Sequence, residues 1–288
     1  DGRVRGVSLR LEHTWQAAIE NHDYAPAVAS LLGQAVAGAV LMVASLKFEG
    51  RLVLQFAGRG PVSLLVVQVT SDRRFRCMAK WDDDRLNDAG DHLEEQLGRG
   101  QLVLTIEPEA GARYQSLVPI AGAGLENAIE GYFQQSEQLP TRLILAADDQ
   151  RAVGLMVQKM PASASGEQES ATEDWGRVDA LCATASREEM LTLPAREMLY
   201  RLLHEETLQG LEQADLHFAC GCSRQKVGEM IVSIGAEEAQ AALDDEEAAG
   251  VIRVDCDFCG SRYEFDAVDV AQLFATDGDV QGGPEGTH

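Results

Sequence analysis

Apolar and polar positions follow two rhythms along residues 1–160, one helical and one strand-like. The longest apolar run, Tyr24 to Leu46, holds no charged residue and includes AVAGAVLMVASL. On length and hydropathy it qualifies as a membrane span. A buried helix of a soluble domain fits better. The run is rich in Ala and Gly rather than Leu and Phe, Pro26 and Gln34 interrupt it, and no second segment resembles it. Its small residues let neighbouring elements approach closely. RLVLQFAG alternates as a short strand ending at Gly58, and PVSLLVVQVT continues as an apolar strand. QLVLTIEP and the stretch before Pro119 read as two more. Between them, DDDRLNDAGDHLEEQLG is acidic and reads as a helix start or a solvated loop. GAGLENAIEGYFQQSEQLP offers a helix that stops before Pro140. TRLILAADD and RAVGLMVQKM pair as strands around the turn ADDQR. The order predicts an α+β domain, with helices packed on a mostly antiparallel sheet.

The rhythm changes at residues 161–174, PASASGEQESATED, which are small, polar and acidic and read as a linker or exposed loop. WGRVDALCATASREEMLTLPAREMLYRLLHEE is helical in composition. Met198, Leu199, Leu202 and Leu203 make an apolar stripe, and Pro194 suits a first helical turn. This middle segment is too short to build much core of its own. Three parts are expected: an N-terminal core at 1–165, a helical middle at 166–216, and a small C-terminal domain at 217–288. The last residues, DGDVQGGPEGTH, are expected to fray.

Length and charge narrow the functional classes. The 288 residues fit one large domain or two to three small ones. Against 24 basic side chains stand 47 acidic ones, a formal net charge of -23. So acidic a surface repels phosphate backbones, which argues against nucleic acid as a partner. DGRVRGVSLR has no apolar core of a signal peptide, so a cytoplasmic protein that binds no membrane is expected.

Six cysteines are too few for a disulfide scaffold, yet four of them form a pattern. Cys220-Gly-Cys222 is followed by 33 residues and then Cys256-Asp-Phe-Cys259. Two close pairs of thiolates can close a tetrahedron around one Zn²⁺, at about 2.3 Å per bond, with no site left for water. In CDFCGSRYEF, Gly260 eases the turn of a zinc knuckle, and Tyr263 and Phe265 start a strand that supplies local core. A permanent disulfide pair, an iron–sulfur centre and unrelated thiols are the alternatives. The C-x-C half is unusual for a purely structural site. Oxidation would remove the ligands of an ion worth about 10–16 kcal/mol to such a module, so the site could act as a switch between order and disorder.

Other candidates are weaker. His217 could compete as a ligand, but a partly exposed residue beside Phe218 is the simpler reading, and His204 belongs to a helix face. Cys77 and Cys182 read as semi-buried thiols. Asp82–Asp84 lacks calcium-binding spacing and reads as a solvated turn. GRGP and GAGLEN lack the setting of a phosphate loop, and Trp15, Trp81 and Trp175 lie far apart. No catalytic constellation is visible.

HFACGCSRQKV, IVSIGAEE, VDCDFCGSRYEFDAVDVAQLF, YRLLHEE and LVPIAGAGLENAIEGYFQQSEQLPTRLILAAD together resemble the redox-regulated holdase chaperones, the bacterial 33-kilodalton heat-shock proteins. VRG at residues 4–6 and GQAVAGAVLMVASLKFEGRLVLQF extend the resemblance over nearly the whole chain. It implies a non-enzymatic chaperone of oxidative stress. In its reduced state Cys220, Cys222, Cys256 and Cys259 would hold one zinc ion. Oxidants would form Cys220–Cys222 and Cys256–Cys259 disulfides and unfold the tail. The middle segment would then come away, exposing apolar surface that holds unfolding client proteins without ATP. The resemblance further implies an active homodimer. Two other classes remain to be separated from it. A nucleic-acid zinc ribbon needs a basic face, but residues 220–288 hold 15 acidic and 4 basic side chains. A thiol oxidoreductase needs a thioredoxin-like setting that the C-x2-C lacks.

Overall fold

The structure, a computed structural model, describes residues 3–87, 93–98, 100–119, 124–161, 168–210, 212–245 and 249–278. Its contacts divide the chain into two units, Asp1–Ala219 and Cys220–His288.

The first unit opens with β1 (Val4–Leu11), α1 (His13–Ile19) and α2 (Pro26–Ser45). There follow β2 (Gly50–Gly58), β3 (Val62–Thr70), β4 (Arg74–Trp81), α3 (Asp83–Asn87), α4 (Leu93–Leu97), β5 (Gly100–Pro108) and β6 (Tyr114–Pro119). Next come α5 (Leu125–Tyr132), extended by a π-helical turn at Phe133–Glu137, then β7 (Thr141–Ala147) and β8 (Ala152–Lys159). The unit ends with α6 (Gln168–Cys182), α7 (Arg187–Thr192), α8 (Ala195–Leu203) and β9 (His217–Phe218). The expected α+β class is found, with two sheets rather than one. One has six strands in the order β6-β5-β2-β3-β4-β9 and the other three, β1-β8-β7. All pairs are antiparallel except β4 with β9.

The uncharged run became α2, and it lies between the sheets, packed on strands of both. Residues 31–42 are buried without a break, so every face of more than three turns is covered. This is the buried helix expected over a membrane span. The glycines allow the close approach: a Cβ on Gly33 would sit 2.5 Å from that of Ala147, and one on Gly38 would sit 2.6 Å from Ile129 Cδ1.

β8 is buried from Ala152 to Gln158. Its alternate side chains serve different cores. Ala152 and Met156 join the cluster around α2, while Val153, Leu155 and Val157 join a second cluster with Val178, Cys182, Met190, Met198 and Leu202. The middle helices therefore cover the outer face of the three-stranded sheet. Arginines reinforce the cover. Arg142 donates to both carboxylate oxygens of Asp179 at 2.6 and 3.2 Å, and Arg3 pairs with Asp174 at 2.9 Å.

The linker expected at 161–174 is corrected in its second half. Residues 162–167 lie outside the described residues, but α6 already begins at Gln168. Its turns are held by Ala171, Trp175, Val178 and Cys182, spaced at helical intervals and packed inward, except that Trp175 is only partly buried. The tail DGDVQGGPEGTH also lies outside the described residues, from 279 onward.

The second unit is small. It comprises α9 (Arg224–Ile234), α10 (Ala236–Asp244), the hairpin of β10 (Val251–Asp255) and β11 (Arg262–Asp266), and α11 (Ala267–Gly278). Its buried apolar residues are Ile231, Ala239, Leu243, Phe265 and Val270.

Candidate metal centre

Two local devices place the cysteines. Cys220 and Cys222 lie just ahead of α9, whose start is fixed by Ser223: its Oγ accepts from Lys226 N–H at 3.2 Å. The Lys226 ammonium turns back to Gly221 O at 2.6 Å, which closes the C-x-C corner. Cys256 and Cys259 occupy the turn between β10 and β11. There Gly260 N–H donates to Cys256 O at 2.8 Å, and Cys256 N–H donates to Ser261 O at 2.9 Å. Gly260 takes φ +66°, the left-handed conformation that this turn demands and that glycine adopts without strain.

The structure brings the four predicted sulfurs together. All lie within 4.8 Å of one another, with Cys220 and Cys256 at 3.6 Å and Cys222 and Cys259 at 3.4 Å. Sulfurs bound tetrahedrally at 2.3 Å would stand about 3.8 Å apart, so the cage has the size for one such cation. The four thiols are half-buried.

Their acidities are uneven. Burial pushes Cys220 up to about 12 and also raises Cys256, although Phe258 and Cys259 N–H groups bond to the Cys256 sulfur. Burial acts on Cys259 too, but the hydroxyl and backbone N–H of Ser261, with the neighbouring thiols, bring it down to about 7. Cys259 thus ionises readily, while burial makes the Cys220 and Cys256 thiolates costly. A bound cation would offset that cost.

Tyr263 completes the surroundings. Its hydroxyl donates to Cys222 Sγ at 3.1 Å, a contact hidden in a residue expected only to pack as core. Nearby, the Arg224 guanidinium covers the Phe265 ring at 4.2 Å and donates to Glu264 O and Asp269.

The weaker candidates belong to the first unit and are not among the grouped ligands. His217 is on β9, and His204 sits at the end of α8 beside the Tyr200 ring. Asp82 and Asp83 accept from Arg85 N–H and Trp81 Nε1 around the start of α3, as a solvated turn does. Cys77 and Cys182 are buried in the first unit, more deeply than expected, and burial holds both thiols protonated, with Cys182 at about 11. Among the described residues, the cluster able to hold a metal ion is the four-cysteine one.

Residues 1–266 match the sequence profile of the Hsp33 protein family. The chain belongs to the Hsp33 family. A 33 kDa chaperonin of Nitrosococcus oceani is 41% identical over 274 residues, covering 95% of this chain and 91% of that one. A 33 kDa chaperonin of Pseudomonas aeruginosa is 41% identical over 289 residues, covering 100% and 96%. The crystal structure of a 33 kDa chaperonin from Thermotoga maritima, a heat shock protein 33 homolog, superposes with a TM-score of 0.79 at 21% identity, over 96% of this chain and 95% of that one. That likeness establishes the fold. Hsp33 proteins are stress-response chaperones of the holdase kind rather than enzymes, and the cysteine cluster is the family's metal-binding and redox centre.

Proposed function

We propose that this chain is a redox-switched, ATP-independent holdase of the cytoplasm, with one Zn²⁺ held by Cys220, Cys222, Cys256 and Cys259 in the resting state. The observation that carries the proposal is a four-sulfur cage anchoring a unit with few buried apolar side chains. Bound zinc would supply a tetrahedral tie between the C-x-C corner and the hairpin turn, worth more than that small core.

The switch follows from the chemistry of sulfur. Each pair of thiols reacts with one peroxide: a sulfur attacks oxygen, the O–O bond breaks, water leaves and a sulfenic acid forms. The second thiol of the pair then displaces a second water to close a disulfide. Cys220–Cys222 and Cys256–Cys259 are the pairs that the family resemblance implies. Once sulfur bonds to sulfur, the four donors are spent and the tail loses its tie.

The functional parts are the core at 1–165, the middle at 166–216 and the switch at 217–288. β9 ends one residue before Ala219, and Cys220 follows, so unfolding of the tail would propagate into the chain that leads back to the middle helices. Their departure would expose Ala146, Val153, Leu155 and Val157 to client proteins in the act of unfolding. A homodimer is the proposed active form. The net charge of -23 supports solubility with that surface open, and disfavours nucleic acid.

Zinc content and free thiols, measured before and after peroxide with mild heat, test the proposal. Release of one zinc with loss of four thiols and a gain in suppression of client aggregation is expected. Retained zinc and intact thiols, or oxidised protein that leaves aggregation unchanged, would overturn it.

A further inference from the structure

Tyr263 lies on β11 opposite Val254, four residues beyond Cys259 in the hairpin half of the centre. Its hydroxyl reaches across to Cys222, 41 residues away in the C-x-C half, and donates to that sulfur at 3.1 Å. Its ring is fixed by packing against the cluster around Phe265 and Ile231. The position of the hydroxyl oxygen is therefore set by the fold, within hydrogen-bond reach of the sulfur.

Besides the sulfur–sulfur contacts across the cage, the other sulfurs take hydrogen bonds from groups close in sequence. Cys256 has the N–H groups of Phe258 and Cys259, Cys259 has Ser261, and Cys220 has the Cys222 N–H. Cys222 takes its bond from the far half of the centre. Tyr263 thus ties the two ligand pairs together through something other than the ion. A lone pair held by an O–H is also less available to an electrophile, because sulfur nucleophilicity falls as electron density is withdrawn.

We infer that Tyr263 is a positioning residue for the metal centre, whose hydroxyl holds the Cys222 sulfur in the ligand cage and slows its attack on peroxide. The inference rests on the proposed zinc site. The step it governs is the first one above: the Cys222 sulfur gives an electron pair to a peroxide oxygen, and the other oxygen leaves as water after taking a proton. Groups outside the ligand shell commonly tune affinity or activity by about 10–100-fold.

The test uses the full chain, parent and Tyr263→Phe, loaded with Co²⁺ for spectroscopy and with Zn²⁺ for release. Phenylalanine keeps the ring and its packing and deletes only the donor. The sulfur-to-cobalt charge-transfer band should move to lower energy, since the sulfur lone pairs lose a stabilising proton. Zinc affinity should fall about tenfold and peroxide-driven zinc release should speed up several-fold. A role limited to packing would alter thermal stability and leave the band in place. Should the variant not fold, the unchanged chain made with 3-fluorotyrosine carries a stronger donor at this position, and its band should move to higher energy. Parent and altered proteins with superimposable bands and equal release rates would overturn the inference. A parent chain that takes up neither ion would instead remove the metal site, and the inference with it.

Discussion

Arg10 offers the sharpest test of how the middle helices are held. Its guanidinium, on β1, donates to Met190 O at 3.2 Å, Leu193 O at 2.9 Å and Leu191 O at 3.0 Å. The need for it comes from Pro194, which has no N–H to meet the Met190 carbonyl one turn earlier. Arg151 also donates to Leu191 O, at 2.6 Å. Arg10→Met would keep the aliphatic stem and leave Met190 O and Leu193 O without this donor, while Leu191 O keeps Arg151. The Arg10 side chain is 19% exposed, so water reaches the vacated carbonyls only in part. At about 1–3 kcal/mol per carbonyl, the loss should total about 2–4 kcal/mol, weighted down for that access. Opening of α7 and α8 should rise roughly 30- to 700-fold. Hydrogen exchange on the reduced, zinc-loaded chain reads this as faster exchange at residues 187–203, with β2 and β3 unchanged. Arg10→Lys should fall between, having charge without the planar fork. Unchanged protection of α7 and α8 would refute the reasoning, as would an equal rise in β2 and β3, which would mean general destabilisation.

Two further outcomes follow from the first unit. Gly33→Ala should lower stability by about 1–3 kcal/mol in urea unfolding, because its Cβ would meet Ala147 Cβ at 2.5 Å and neither backbone can yield freely; an unaltered midpoint would show that α2 is packed more loosely than its burial indicates. Burial raises the Glu130 carboxyl above its ordinary 4.5, outweighing its bond from Leu143 N–H and the nearby Arg142. A raised carboxyl favours the folded state when protonated, so its contribution is present below 4.5 and is lost as pH rises through the folded value. Glu130→Gln keeps the acceptor for Leu143, so the stability difference between variant and parent should move in the variant's favour from pH 4 to pH 7. A difference that stays flat with pH would rule out burial of the charge as the cause.

What could be seen in the sequence depended on the range of the signal. α2 was legible because an uncharged run of its length has one stable place in a soluble unit. The four cysteines were legible because each pair is a local spacing, and two such spacings together specify a cage. β1 was not, since VRGVSLRL carries Arg5 and Arg10 within an otherwise alternating strand, and both cations find carbonyl partners only in the folded chain. The start of α6, residues 168–174, was obscured by acidic and small residues, although Ala171 stood at helical spacing from Trp175, Val178 and Cys182. The two-residue β9 is too short for any periodicity. Tyr263 looked like core because its second role depends on a sulfur 41 positions away.

RAVGLMVQKM held one more consequence. A strand apolar at six consecutive positions, residues 152–157, and buried through Gln158, must be covered on both faces. α2 supplies one cover, but it lies between two sheets and cannot leave without dismantling the core that includes Leu52, Leu54, Val67 and Leu145. α6, α7 and α8 supply the other from outside. Part of their hold is ionic or carbonyl-directed, through Arg3, Arg10, Arg142 and Arg151, and several of these groups are partly exposed. Such contacts contribute less than a buried core does. Of the two covers, only the outer one can come off while the sheet survives. A chaperone surface in this unit is therefore expected on the face that carries Val153, Leu155 and Val157, and Leu155→Asp should abolish suppression of client aggregation by the oxidised chain.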